Sequence, residues 1–170
     1  LLTRTPVFSL TRVVLLLKEL LLREVITMSK EETIENLHEI LQQMEKQNAC
    51  DGVSLMYNFR SFFLRDSIVD ELNRFYRGHA VQIRPIDHSL KVIEEALFIW
   101  FFEPLSSLNP PFSQIEEYVT PFLTQLEYLL DTETYTIYEI SVPFDFVGAY
   151  SEHFAICQND RLYVLQFTVI

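Results

Sequence analysis

The last third of this chain switches from helical to alternating periodicity, and that switch limits the fold more than any other feature. Residues 135–142, 153–157 and 162–169 read as strands, rich in β-branched and aromatic side chains. The last two are separated by Asn159-Asp160, a pair suited to a two-residue hairpin turn. A C-terminal antiparallel hairpin is therefore predicted, and the upstream elements must pack around it.

Upstream, helices and strands alternate. Ser29 with Glu32 forms a capping-box pattern, and Ile34, Leu37, Leu41 and Met44 follow at helical spacing to about Asn48. Val53, Leu55, Tyr57 and Phe59 alternate with Ser54, Met56 and Asn58 as a strand with one buried face. Asp66 or Ser67 caps a second helix ending before Gly78, with Asp70 and Glu71 in its first turn and Arg74 and Arg77 in its last. Val81 and Ile83 suggest a further strand, which Pro85 places at an edge or a strand end. Residues 89–103 fit a helix entered at Ser89, although the all-apolar run from Ala96 to Phe102 also fits a buried strand; helix is the preferred reading. Ser113 with Glu116 is a second capping box, opening a helix through Tyr118, Phe122 and Leu130 that Pro121 must kink or split, with Thr120 capping the second part. The fold class expected is α+β: a single domain of helices plus a largely antiparallel sheet ending in a C-terminal β-hairpin.

The domain is expected to span residues 28–170. No methionine precedes Met28, and residues 23–27 can be encoded by codons that contain a near-complete bacterial ribosome-binding sequence. Residues 1–27 are thus read as translated upstream sequence, outside the fold. Otherwise Val13 to Leu17, with Arg4 and Arg12 before it, imitates a signal peptide. The remaining 143 residues suffice for one domain with a real core.

Charge is the strongest functional signal. From Met28 onward there are nine basic and 22 acidic residues, and none of the basic ones lies between Lys91 and Arg161, where twelve carboxylates do. Such a field repels nucleic acid and anionic membrane and attracts basic proteins. Arg60, Arg65, Arg74, Arg77 and Arg84, interleaved with aromatics, are expected to pair with carboxylates of the acidic half rather than to bind nucleic acid. Cys50 and Cys157 lie far apart in no metal-ligand spacing and read as reduced thiols of a cytoplasmic protein.

Catalytic motifs are weak. Asp87-His88-Ser89 holds the residue types of a hydrolase triad, but consecutive residues do not align as nucleophile, base and orienter, and Ser89 or Asp87 reads better as a helix cap. The four histidines show no ligand spacing, so no metal and no cofactor is expected. Three scattered glycines exclude a phosphate-cradling loop. No catalytic residue is assigned.

The leading expectation is a small acidic interaction domain of the immunity- or inhibitor-protein kind, whose carboxylates occupy a basic partner's anion site. Glu116, Glu117, Glu127, Asp131 and Glu133 are the expected binding acids, with Tyr118, Tyr128 and Tyr135 as anchors. One alternative is a small-ligand domain or enzyme with an aromatic pocket of Trp100, Phe101, Tyr138 and Phe154. A second is a homo-oligomer subunit using the apolar run from Ala96 to Phe102 as its interface.

Overall fold

The computed structural model describes residues 15–21, 28–49, 52–86, 89–102, 114–130, 134–143 and 150–169. Five antiparallel strands form one sheet: β1 (Leu55–Phe63), β2 (Gln82–Ile86), β3 (Thr136–Ser141), β4 (Tyr150–Gln158) and β5 (Arg161–Val169), in the order β1-β5-β4-β3-β2. The α+β class and the closing hairpin are as expected. Gln158 pairs with Arg161 around the Asn159-Asp160 turn, and Asn159 takes the positive φ of 51° that such a turn requires at its first central residue. The C-terminal strand runs between β1 and β4, so the hairpin is the centre of the sheet rather than an appendage.

Alternation along the strands builds two cores. Tyr57, Phe59, Phe154, Ile156, Tyr163, Leu165 and Phe167 face a layer of helices: α1 (Lys30–Asn48), α3 (Lys91–Phe102) and α4 (Thr120–Leu130). On the opposite face Ile140, Ala155, Leu162 and Val164 pack beneath the short α2 (Ile68–Phe75) with Leu72, Tyr76 and Val81. β5 is buried on both sides, which is why its sequence shows a nearly continuous apolar run. Residues 15–21 form a short helical segment whose Leu15, Leu16 and Leu20 are at least half exposed.

The helix boundaries follow local chemistry. Ser29 and Glu32 make the reciprocal capping box at the start of α1, with the Ser29 N–H donating to the Glu32 carboxylate at 2.7 Å and the Glu32 N–H to the Ser29 hydroxyl at 3.2 Å. Ser67 caps α2, accepting from the Asp70 N–H at 3.1 Å. Residues 91–102 are helical, as preferred over the strand reading, and Ser89 accepts from the Lys91 N–H at 3.1 Å. Asp87 and His88 lie outside the described residues, as does Ser113, so the second capping box is not among the observed contacts.

Pro121 acts differently from the expectation. Thr120 is not a cap: its φ of −62° and ψ of −47° are helical, and α4 runs on from a π-helical turn at Ile115–Val119. The Thr120 N–H bonds to the Ile115 carbonyl, five residues back. Widening the helix at that point removes the bond that proline cannot make and gives its ring room without a break.

Trp100, the single tryptophan of the chain, sits between Phe167 (centroids 5.3 Å apart, 13° between planes) and Tyr150 (5.1 Å, 19°) and is 1% exposed. Its indole N–H donates to Glu152 at 2.7 Å. The native protein is therefore expected to emit with a blue-shifted tryptophan maximum that resists acrylamide and moves red on unfolding. A native spectrum like that of free tryptophan contradicts this placement.

Candidate functional site

Two features have the geometry of a site or a support for one: a groove between α3 and α4, and a polar chain beneath α2.

The groove encloses about 780 Å³ and is lined by Ser89, Leu90, Lys91 and Glu94 from the start of α3 and by Thr120, Leu123, Thr124 and Glu127 from α4. Tyr135 and Lys18 complete it. The α4 residues recur at three- and four-residue spacing, which sets them on one helix face. The Lys18 ammonium lies 4.0 Å from the Glu127 carboxylate, and Lys91 is engaged by Glu95 at 3.8 Å. Burial, aided by the Glu127 charge, raises the Tyr135 hydroxyl above its ordinary pKa. At the floor Thr124 is 2% exposed, and its hydroxyl has no hydrogen-bond partner among the described residues.

Of the expected binding acids and anchors, Glu127 and Tyr135 line this groove. Glu117 is exposed on the π-helical turn, whereas Glu116 is half-buried with one carboxylate oxygen unpartnered. Tyr118 does not fit the anchor role: it is buried, and its hydroxyl accepts from the Gln47 amide. Four residues before Phe122, it lies on the apolar stripe of the helix, and that stripe faces the core. Tyr128 is half-buried with its hydroxyl donating to the Met28 carbonyl at 3.4 Å, while Asp131 and Glu133 lie outside the described residues.

The aromatic quartet of the ligand-pocket alternative is divided between the two cores. Trp100, Phe101 and Phe154 belong to the helical side, whereas Tyr138 pairs in register with Ala155 and packs on the α2 side. Neighbouring strand positions 154 and 155 point to opposite faces, so Tyr138 cannot meet Phe154 around one cavity. The apolar run proposed as an oligomer interface is likewise spent inside the fold: Ala96, Leu97, Trp100, Phe101 and Phe102 are buried, and Ile99 is its most exposed side chain at 37%.

Beneath α2 runs a hydrogen-bonded chain that sequence reading missed. Asn58 donates to Gln166 at 3.0 Å, Gln166 to the Tyr76 hydroxyl at 3.4 Å, and Tyr76 lies 2.9 Å from His153 Nδ1. His153 Nε2 then meets the Thr168 hydroxyl at 3.0 Å. Both ring nitrogens of His153 are thus engaged, Nδ1 by Tyr76 and Nε2 by Thr168. Burial pushes His153 down to about 4 and raises Tyr76 well above its usual range. His153 and Tyr76 also stack, with 9° between ring planes.

The arginines divide between local and long-range partners. Arg84 pairs across β2 and β3 with Glu139 of the acidic half, as expected, whereas Arg74 pairs with Asp66 and Glu71 beside it. Arg161 stacks on Phe63 with its guanidinium carbon 3.7 Å from the ring centre. Among the described residues no cluster of three or more His, Cys, Asp or Glu side chains has metal-binding geometry, and no helix is long and apolar enough to cross a membrane. No family model, curated protein or solved structure matches the chain.

Proposed function

We propose that this is a small acidic protein-interaction domain of the cytoplasm, of the inhibitor or immunity kind, that binds a basic protein through its helical layer. The observation that carries the reading is the charge of that layer. Residues 30–48, 91–102 and 114–130 hold ten carboxylates against three lysines and no arginine. Arg60, Arg74 and Arg84 sit on β1, α2 and β2 instead. A predominantly acidic helical surface speeds encounter with an electropositive partner and orients it. Free Cys157, its thiol pKa raised by burial, is in keeping with a reducing compartment.

The test is salt-dependent binding by tagged protein to a basic protein from its own host, comparing wild type with the triple variant Glu116→Gln, Glu117→Gln, Glu127→Gln. The expected result is a partner released by high salt and weakened by at least about tenfold in the triple variant, since three charges are removed from the helical layer. Undiminished affinity of the triple variant would show that these acids do not form the contact.

A further inference from the structure

The sheet has two edges, and only one of them is guarded by its own residues. β2 is five residues long and carries Arg84 and Pro85, both of which hinder pairing with another strand. β1, at the other edge, is nine residues long, holds no proline or glycine, and has Arg60 as its one charge. A long, largely apolar edge of that kind is a template for a strand from another chain. The ladder fixes which of its groups face outward. The Leu64 N–H donates to the Asp160 carbonyl at 2.7 Å, one step beyond the Phe63–Arg161 pair. Bonding alternates along an antiparallel pair, so even positions of β1 bond to β5 and odd positions turn their N–H and C=O to the open edge.

At Tyr57 both outward groups are taken by α1. The Tyr57 N–H donates to the Glu45 carboxylate at 2.7 Å, and its carbonyl accepts from the Gln42 amide at 2.9 Å. Gln42 also donates to Glu45 at 3.4 Å. Three residues apart on one helix face, the two side chains present one donor and one acceptor, the complement that a residue of a neighbouring strand would bring. We infer that Gln42 and Glu45 form an edge guard, which occupies β1 where a second copy of this chain would pair and so stops the sheet from extending between molecules. Identical antiparallel strands related by a two-fold axis are self-complementary. With Phe59 on the axis, Tyr57 meets Ser61 and Leu55 meets Phe63, all of them outward positions. Arg60 then falls opposite Asn58, so no like charges oppose the pairing. The guard at Tyr57 blocks both Tyr57–Ser61 pairs of that register.

The experiment compares the full chain with the double variant Gln42→Ala, Glu45→Ala by light scattering over a range of concentrations, and follows the Tyr57 amide by hydrogen exchange. Wild type is expected to be monomeric. The double variant is expected to dimerise as concentration rises, and its Tyr57 amide in the dilute monomer to exchange at least about tenfold faster, as loss of a charge-assisted hydrogen bond brings. Glu45→Gln keeps an acceptor and should remain monomeric, as should Glu39→Ala, a change at an exposed position of α1. Ser61→Pro added to the double variant removes an outward N–H and no ladder bond, so it should restore the monomer. Association caused by loosened folding would persist or grow with that proline, and this result overturns the inference. A double variant that stays monomeric also overturns it, because the body of α1 then guards the edge without these side chains. If Glu45→Gln associates as strongly as the double variant, lost charge is the cause and the edge guard is rejected.

Discussion

Replacing Asn48 by alanine is expected to destabilise the fold by about 3 kcal/mol, the scale for leaving buried carbonyls without a donor. Asn48, at the end of α1, is 2% exposed and donates to the Trp100 and Phe101 carbonyls, each at 3.0 Å, and to the Tyr57 hydroxyl at 3.2 Å. Those carbonyls belong to the last turn of α3, a turn that carries no basic side chain of its own. Tyr57 shares the task, its hydroxyl donating to the Trp100 carbonyl at 2.6 Å. Asn48→Ala removes the amide and opens a void beside an aromatic cluster. Asn48→Asp should be worse still, since an ionised carboxylate offers only acceptors to carbonyls that need a donor. Tyr57→Phe should cost less, about 1 kcal/mol, because Asn48 still reaches the same carbonyl. Urea unfolding followed through Trp100 fluorescence gives these values. A loss below about 0.5 kcal/mol in Asn48→Ala would show that the α3 terminus finds its donors elsewhere.

Acidification is the second large effect, and His153 is its centre. Burial holds the folded imidazole at about 4, against about 6.5 for an ordinary histidine. Above pH 6.5 the residue is neutral in both states and exacts no penalty. As pH falls from 6.5 toward 4 the unfolded chain takes up a proton that the folded chain refuses, so stability declines across that window and levels off below it. The depression corresponds to about 3 kcal/mol in total. The physical cause is burial: packed beneath α2, a charged imidazole would lose its hydration. His153→Phe keeps the ring stacked on Tyr76 and is expected to be less stable at pH 7 but flatter between pH 6.5 and 4. Every other titrating group is common to both proteins, so the difference between the two curves isolates the histidine. Parallel curves would mean that His153 charges in the folded state without cost.

Both effects lie in contacts that link distant parts of the chain. Asn48 reads in sequence as the last residue of a helix, and nothing nearby says that it serves another helix 52 positions on. His153 reads as an ordinary strand residue beside Glu152, and its partners Tyr76 and Thr168 arrive from α2 and β5. The groove shares this character. Glu127 and Tyr135 were legible from charge and spacing, but Glu94 and Thr124 joined them only because α3 packs beside α4. Tyr118 misled because a tyrosine beside Glu116 and Glu117 suggests an exposed anchor, whereas its spacing to Phe122 sets it on the stripe that the core buries.

What the sequence determined alone was everything set by neighbours a few residues apart. Capping serines, the Asn159-Asp160 turn and the period of the apolar residues each act through local hydrogen bonds and backbone geometry. They defined α1, α2, the closing hairpin and the α+β class. The strand order, the division of Tyr138 from Phe154, and the shared lining of one groove by Glu94, Thr124 and Glu127 were decided only in three dimensions. Those outcomes depend on which apolar faces bury one another, a choice that burial free energy makes among elements far apart in the chain and that no local pattern encodes.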